Sequence, residues 1–292
     1  MIGSALCDAL LTRGDEVVGL SRDPRRARHT NPTVTWFAWE PARERPPAEA
    51  FESVDGVVNL IGESIDQRWS EDAKRRILES RRTATHNLVQ AIGALEQRPA
   101  VLVSQSAIGY YGDHGDAIVD ESTPAGTGFA SEVSVEWEQA AHEADDLLRV
   151  VIVRSGLVLD PRSGLLKQML TPFKVGVGGT IGSGSQYMSW VHIDDEVGLL
   201  IWALENEKVT GTLNATAPNP VTNRQLSKAL GKVLRRPVLL RVPGIALSVR
   251  LGGELAETVK GGQRVLPRRA TDLGFEFRHP ELEPALRDLL SD

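Results

Sequence analysis

The sequence predicts an α/β fold, a doubly wound parallel sheet followed by a smaller C-terminal lobe that faces substrate. Three observations predict it. Short β-branched runs alternate with helical patterns through the first two-thirds of the chain, the mark of a parallel sheet with helices on both faces. The stretch Met1–Arg22 reads as helix, glycine and strand, with Ser-Arg at the strand end. After Asp160 the pattern changes to glycine-rich turns and short elements. The 292 residues suit one large α/β unit with a smaller one appended. The expected division is 1–160 for the sheet and 161–292 for the lobe and C-terminal domain, with some later segments returning to the sheet.

Each element follows from a local pattern. Ala5, Leu6, Ala9 and Leu10 recur at helical spacing, and Gly14 ends that helix. Glu16–Leu20 is a short strand with Ser21-Arg22 at its C-terminal end. Together they are the helix and second strand of a dinucleotide-binding βαβ unit. A hydrophobic strand and a glycine-rich turn belong before them, and Gly3 stands where the last glycine of that turn would be. We therefore expect a translation start upstream of Met1, supplying about ten residues with the central strand and two loop glycines. A native mass equal to that of the 292-residue chain refutes this expectation.

Val34–Trp39 reads as the next strand, Pro41–Pro47 as a loop, and Val54–Ile61 as a buried strand ending at Gly62. Ser70–Leu95 is a long helix with Ser70 as N-cap and Glu71 and Asp72 in the first turn. Ala100–Ser106 is a strand, Gly126–Leu148 contains a second long helix, and Arg149–Leu157 is a further strand. A helix is expected from Asp194 to about Glu207, another over Ser227–Leu234, and an amphipathic one over Leu282–Leu290. Arg241-Val242-Pro243 opens a separate segment.

Composition excludes several classes. Net charge is −6, and the densest basic cluster near the N-terminus, Arg25, Arg26 and Arg28, is too small a footprint for nucleic acid. The lone Cys7 rules out an internal disulfide, suits a reducing cytoplasm and reads as a small core residue. No apolar run approaches the ~18 residues of a membrane span, and no signal-peptide pattern is present. The expected partner is a small molecule, with no nucleic acid and no membrane; a homodimer is compatible with the chain.

Ligands of an open parallel sheet sit beyond the C-terminal strand ends. An acidic residue after the second strand would bind the ribose hydroxyl of NAD, but this chain has Ser21 and Arg22 there. A hydroxyl and a guanidinium suit a 2′-phosphate, so NADP is favoured over NAD. Gly62 allows close backbone approach to a ligand, or is a plain turn glycine. Hydroxyls follow the strand at Ser104–Gly112, and Ser106, Tyr110 and Tyr111 are candidates to polarise or protonate a substrate oxygen. Lys174–Asp195 is glycine-rich enough to fold over a ligand, and Gly182, Ser185, Gln186 and Trp190 are its expected substrate contacts. His192 and Asp194 invite a metal reading, but no further ligands are visible in the sequence. A strand end followed by a helix N-cap is preferred, with no metal. Gly262–Arg268 is a basic turn that either binds an anionic group or ties the C-terminus to the body, the latter being favoured.

Taken together, several stretches carry a family resemblance. They include Val58-Asn59-Leu60-Ile61-Gly62-Glu63, Ser80-Arg81, Ser104–Gly112, Trp137-Glu138, Arg154-Ser155-Gly156, Gly182–Gln186, Ser189–Asp195, Asn214–Thr222 and Arg264–Pro267. Across essentially its whole length the chain resembles the sugar-nucleotide epimerase-like branch of the extended short-chain dehydrogenase/reductases. Within that branch it resembles the epimerase-family group with a distinctive C-terminal domain. The resemblance implies a Rossmann-like domain and a lobe for a nucleotide-sugar-like ligand. Gly3, Ser21, Arg22, Asn59, Leu60, Ile61, Gly62, Ser104, Arg154 and Ser155 become the expected cofactor contacts, and Ser106 inherits the serine that orients substrate.

The superfamily's Tyr-x-x-x-Lys pair is missing. Phe129 and Val133 occupy its positions in one register, and Ala130 and Ser134 in the next. A phenyl ring cannot transfer a proton, so Tyr110 or Tyr111 would have to supply it. Two readings follow. One is an NADP-dependent oxidoreductase or epimerase acting on a nucleotide-linked or other polar small substrate. The other is a non-catalytic NADP(H)-binding sensor.

Overall fold

The computed structural model describes residues 1–242, 254 and 261–291. The chain opens with α1 (Ile2–Arg13), which ends at Gly14 in the left-handed region, φ 93°, where the glycine N–H meets the Leu10 and Leu11 carbonyls. Next come β1 (Val18–Ser21), α2 (Pro24–Thr30), β2 (Thr35–Ala38) and β3 (Gly56–Asn59). The long helix α3 (Glu71–Gly93) starts where its cap predicts, with Ser70 Oγ accepting the Ala73 N–H. β4 (Val101–Ala107), β5 (Ile118–Val119), α4 (Phe129–His142) and β6 (Arg149–Ser155) follow.

The second part is built from β7 (Leu157–Leu159), α5 (Gly164–Lys174), β8 (Gly179–Ile181), β9 (Tyr187–Met188) and β10 (Trp190–His192). It continues with α6 (Ile193–Glu205), β11 (Gly211–Ala215), β12 (Val221–Thr222), α7 (Asn223–Val233) and β13 (Leu240–Val242). It closes with β14 (Arg264–Val265), α8 (Arg268–Asp272) and α9 (Leu282–Leu290). Pro243, expected to begin a segment with Arg241 and Val242, lies outside the described residues.

The main sheet is parallel, in the order β11-β6-β4-β3, and β1 pairs in parallel with β2 as a separate ribbon. Side chains alternate between its faces. Val101, Val103, Val151 and Val153 meet α1 and α6 on one face, through Leu6, Val197 and Leu200. Leu102 and Ile152 meet α3 and α4 on the other, through Leu88, Ile92 and Ala141. Each such fully buried aliphatic side chain contributes about 1.5–3 kcal/mol. The lobe has its own core, with Leu159, Phe173, Trp190, Leu226, Leu230 and Leu286.

Two expectations change. The strand expected over Arg149–Leu157 is two strands, because the chain crosses another backbone at Gly156. A side chain there would lie 2.5 Å from the Ser189 carbonyl, and Leu157 leaves the main sheet to pair with Trp190. The stretch Lys174–Asp195 is not an irregular flap but β8, β9, β10 and the start of α6. β8 pairs with β13 and β9 with β12. β14 pairs with β5, so the basic turn at 262–268 ties the C-terminal segment to the body.

Candidate functional site

Register assembles the first cluster. Arg154 on β6 sits opposite Ser106 on β4 and Asn214 on β11, all near the C-terminal sheet edge. Glu138 approaches from α4. Arg154 Nε and Nη2 donate to the two Glu138 oxygens at 2.8 and 2.7 Å. The Ser106 hydroxyl donates to Glu138 at 2.5 Å. Arg154 Nη1 donates to the Tyr111 phenol oxygen at 3.0 Å, and that phenol donates to Asn214 Oδ1 at 2.7 Å. All five side chains are buried. Burial pushes the Tyr111 phenol up to about 12. Burial alone would lower the Arg154 guanidinium, but Glu138 reverses this and holds it well above its ordinary value.

Three of the expected site residues have protein partners here. Ser106 points its hydroxyl at Glu138 rather than outward. Tyr111 is held between Arg154 and Asn214, and its raised pKa makes it a poor proton donor near neutral pH. Arg154 is bonded to Glu138 and Tyr111. Tyr110 differs. It is half-buried, its ring lies 3.3 Å from the Arg154 guanidinium carbon, and its hydroxyl makes no hydrogen bond among the described residues.

A second network sits nearby. Gln105 donates to Ser155 at 2.6 Å and to Glu196 at 3.2 Å, and the Ser155 hydroxyl donates to Glu196 at 2.5 Å. Ser155 is thus also turned inward, toward α6. Complete burial pushes Glu196 up to about 7, and its second oxygen has no partner among the described residues.

At the end of β3, Asn59 donates to Thr85 at 2.9 Å and to Ser104 at 3.1 Å, tying α3 and β4 together. Asn59 and Ser104 are buried, so both act as struts. Leu60 and Ile61 pack on opposite faces of the sheet. Gly62 lies against Arg81. Gly3 sits in the first turn of α1, facing Leu60. At the end of β1, Ser21 Oγ accepts the Asp23 N–H at 3.1 Å. Arg22 is exposed and makes no hydrogen bond or ion pair among the described residues.

The expected substrate contacts are distributed differently. Trp190 is fully buried in the lobe core and donates to the Asn219 carbonyl, which removes it from any substrate surface. Gly182 and Ser185 belong to the turn between β8 and β9, where the Ser183 and Ser185 hydroxyls meet at 2.7 Å. Gln186 Nε2 donates to the Ile181 carbonyl. The structure therefore gives that turn internal bonds.

His192 caps α6, its Nδ1 accepting the Asp194 N–H at 3.0 Å, as the strand-end reading expects. The structure adds two groups absent from that reading, His279 and Asp288, so that four ligand-type atoms lie within 4.8 Å of one another. The imidazoles stack at 3.7 Å with planes 18° apart, so their lone pairs run parallel rather than converging. With Nδ1 occupied by the cap, neutral His192 carries its proton on Nε2, which lies 3.3 Å from Asp288.

The Tyr-x-x-x-Lys positions are filled by packing. Phe129 and Val133 form an apolar cluster with Trp69 and Ile77, and Trp69 meets Phe129 edge-on at 4.9 Å.

Sequence reasoning assigned no role to Glu138, Asn214, Thr85 or Glu196. A signal existed for the first. Glu138 falls on the apolar stripe of α4, and Arg154 directly follows the aliphatic run Val150–Val153 of β6. Opposite charges at two positions that must both be buried point to a pair.

Among known proteins, the family described as "NAD dependent epimerase/dehydratase family" matches residues 1–215, and a domain of unknown function matches residues 242–289. The chain is 39% identical over 291 residues to the chloroplastic epimerase family protein SDR39U1 homolog of Arabidopsis thaliana, covering 99% of this chain and 84% of that protein. It is 36% identical to the human epimerase family protein SDR39U1, covering 99% and 96%. The crystal structure of the human protein with NADPH superposes with a TM-score of 0.90, at 36% identity, over 99% of this chain and 95% of that one. UDP-glucose 4-epimerase of Thermus thermophilus, at 19% identity and a TM-score of 0.74 over 98% and 94%, shares the fold. The chain belongs to the NAD dependent epimerase/dehydratase family and, with its C-terminal domain, to the epimerase family proteins within it.

Proposed function

We propose that the chain binds NADP(H) and acts as an epimerase-like oxidoreductase on a polar, nucleotide-sugar-like substrate. One observation carries the cofactor choice. Arg22, at the C-terminal end of β1, is exposed and unpaired among the described residues, beside the Ser21 hydroxyl, where an NAD enzyme needs a carboxylate. The adjacent carboxylate, Asp23, is committed to capping α2, accepting the Arg26 N–H at 3.0 Å. This donor set fits a 2′-phosphate. The first turn of α1 offers backbone N–H groups to the diphosphate. The NADPH-bound human relative supports the same choice.

NADPH supplies a hydride when bound. Tyr110, whose hydroxyl makes no hydrogen bond among the described residues, would supply the proton to a substrate oxygen. The single Cys7 suits a reducing, cytoplasmic setting, and no described helix is long and apolar enough to cross a membrane. The apolar packing at Phe129 and Val133 favours a second reading, a cofactor-binding sensor without turnover.

NADPH titration followed by a panel of carbonyl and nucleotide-sugar substrates separates these. NADPH oxidation or an epimerised product supports the enzyme. Tight NADPH binding with no turnover across the panel supports the sensor. Binding of NADH as tight as NADPH overturns the assignment of Arg22.

A further inference from the structure

Glu196 lies on α6, one turn beyond the cap His192, and is completely buried. Its Oε1 accepts from Ser155 Oγ at 2.5 Å and from Gln105 Nε2 at 3.2 Å. Its Oε2 is buried with no partner among the described residues. Gln105 and Ser155 stand near the C-terminal ends of β4 and β6, the two inner strands of the main sheet. Exposure rises from 0% at Glu196 to 7% at Ser155 and 9% at Gln105, so the network runs from the core toward the crevice beyond the strand ends.

No described cation pairs with this carboxyl. Burial and its two hydrogen bonds are what act on it. The charged groups of the neighbouring elements are engaged elsewhere. On α1, Asp8 accepts from Asn31 and Arg13 pairs with Glu205, while the half-buried Cys7 thiol is pushed up by burial. On β6, Arg154 turns to Glu138 on the opposite face, and Arg149 serves the carbonyls of Ala203 and Leu204 at the far end of α6. At the near end, His192 caps the helix, Asp194 lies beside the two imidazoles, and Asp195 accepts the Arg278 and His279 N–H groups. β3, β4, β7 and β11 carry no titratable side chain.

A carboxylate in such a site is costly without a cation, so the group keeps its proton until a positive charge arrives. Burial holds Glu196 up at about 7, so near neutral pH a cation at the crevice decides between its two states. The cofactor is such a cation in one of its two forms. With Arg22 at the end of β1 taking the 2′-phosphate, a dinucleotide laid across the crevice would bring its nicotinamide over β4 and β6. That ring is positive when oxidised and neutral when reduced.

We infer that Glu196 is the counter-charge for the oxidised nicotinamide, so that the chain distinguishes NADP⁺ from NADPH by pH. This rests on the NADP(H) reading above. NADP⁺ favours the carboxylate, and binding it expels the Glu196 proton. Its affinity therefore falls as pH drops below about 7, whereas NADPH makes no such demand. Glu196 acts from behind Ser155 and Gln105, through charge and not through contact.

Calorimetric titration of the whole chain with each nucleotide, between about pH 6 and about pH 8, reads the ratio of the two affinities. Both nucleotides carry the 2′-phosphate, which titrates at about 6, so its contribution cancels in the ratio. The ratio should shift toward NADP⁺ by up to about tenfold across that range. Glu196→Gln keeps an acceptor for Ser155 but cannot ionise, so its ratio should be flat. A second readout needs only the wild-type chain. Titrations at about pH 6.5 in two buffers of different ionisation enthalpy count protons, and NADP⁺ should release roughly 0.7 proton more than NADPH. A wild-type ratio independent of pH overturns the inference, as does equal proton release. A slope that persists in Glu196→Gln assigns the effect to another group and overturns it too. If the wild-type chain binds neither nucleotide, the cofactor reading itself falls, and this inference with it.

Discussion

Serine and arginine stand together at the ends of two parallel strands in this fold, and they do opposite things. At β1, Arg22 is exposed and unpaired among the described residues and Ser21 accepts from a neighbouring turn. At β6, Arg154 is bound by a buried carboxylate and Ser155 by another. The residue types are alike, so the difference comes from what covers each strand. β1 pairs only with β2 among the described residues, and no described carboxylate faces Arg22. β6 lies between β4 and β11, and the two helices over it, α4 and α6, each carry a glutamate to its end. A charged strand end is open to a ligand only where the helices opposite leave it open.

The largest expected effect tests whether the β6 pair is structural. Glu138→Ala strands a buried guanidinium and should cost about 3–5 kcal/mol in urea denaturation. Arg22→Ala should change stability by no more than about 0.5 kcal/mol. Glu138→Leu combined with Arg154→Met should lose far less than either alone, because it removes both charges together. A Glu138→Ala chain as stable as wild type would show that Arg154 is not committed as described.

Glu196 gives the next effect, through pH. Its folded value, about 7, lies above its ordinary 4.5, so folding favours the protonated form. The stability it contributes is complete below pH 4.5 and is lost as pH rises toward 7. At about 1.4 kcal/mol per pKa unit, the loss across that window is on the order of 3 kcal/mol. Subtracting the stability profile of Glu196→Gln isolates it. A difference curve that is flat from pH 4.5 to 7 excludes a protonated Glu196.

Much of the fold was legible because its signals are local. Ser70, Gly14 and the periodicity of Leu282–Leu290 mark their element ends within a residue of where the structure has them. The strand break at Gly156 was not legible, since its cause is the Ser189 carbonyl passing overhead. The candidate site was legible by place but not by role. Asn59, Ser104, Ser106, Arg154 and Ser155 all lie near the ends of neighbouring strands, as expected. Whether each faces out or in depends on Thr85, Glu138 and Glu196, which come from other elements. His192 shows both sides of this. Its cap role is readable from Asp194 two residues on, whereas its stacking on His279 is set by the C-terminal segment.

The open end of the comparison gives a binding effect. Arg22→Ala should weaken NADPH by about 10- to 100-fold, roughly 1.4–2.8 kcal/mol, and leave NADH unchanged. Isothermal titration with both cofactors measures it. Equal loss for the two would mean that Arg22 touches something other than a 2′-phosphate.

The smallest effect separates two adjacent residues. Tyr111→Phe removes a phenol that serves Arg154 and Asn214 at once, leaving a buried acceptor and a buried donor unmatched. It should cost about 1–2 kcal/mol of stability. Tyr110→Phe removes a hydroxyl that bonds to nothing described and keeps the ring that Arg154 covers, so its stability should stay within about 0.5 kcal/mol of wild type. If the chain turns over, Tyr110→Phe should abolish that activity, and Tyr111→Phe should retain it in proportion to the folded fraction. The reverse pattern would require the buried phenol to leave Asn214 and Arg154 during turnover. A phenol pushed up to about 12 has little tendency to give up its proton there, so the proton should come from Tyr110.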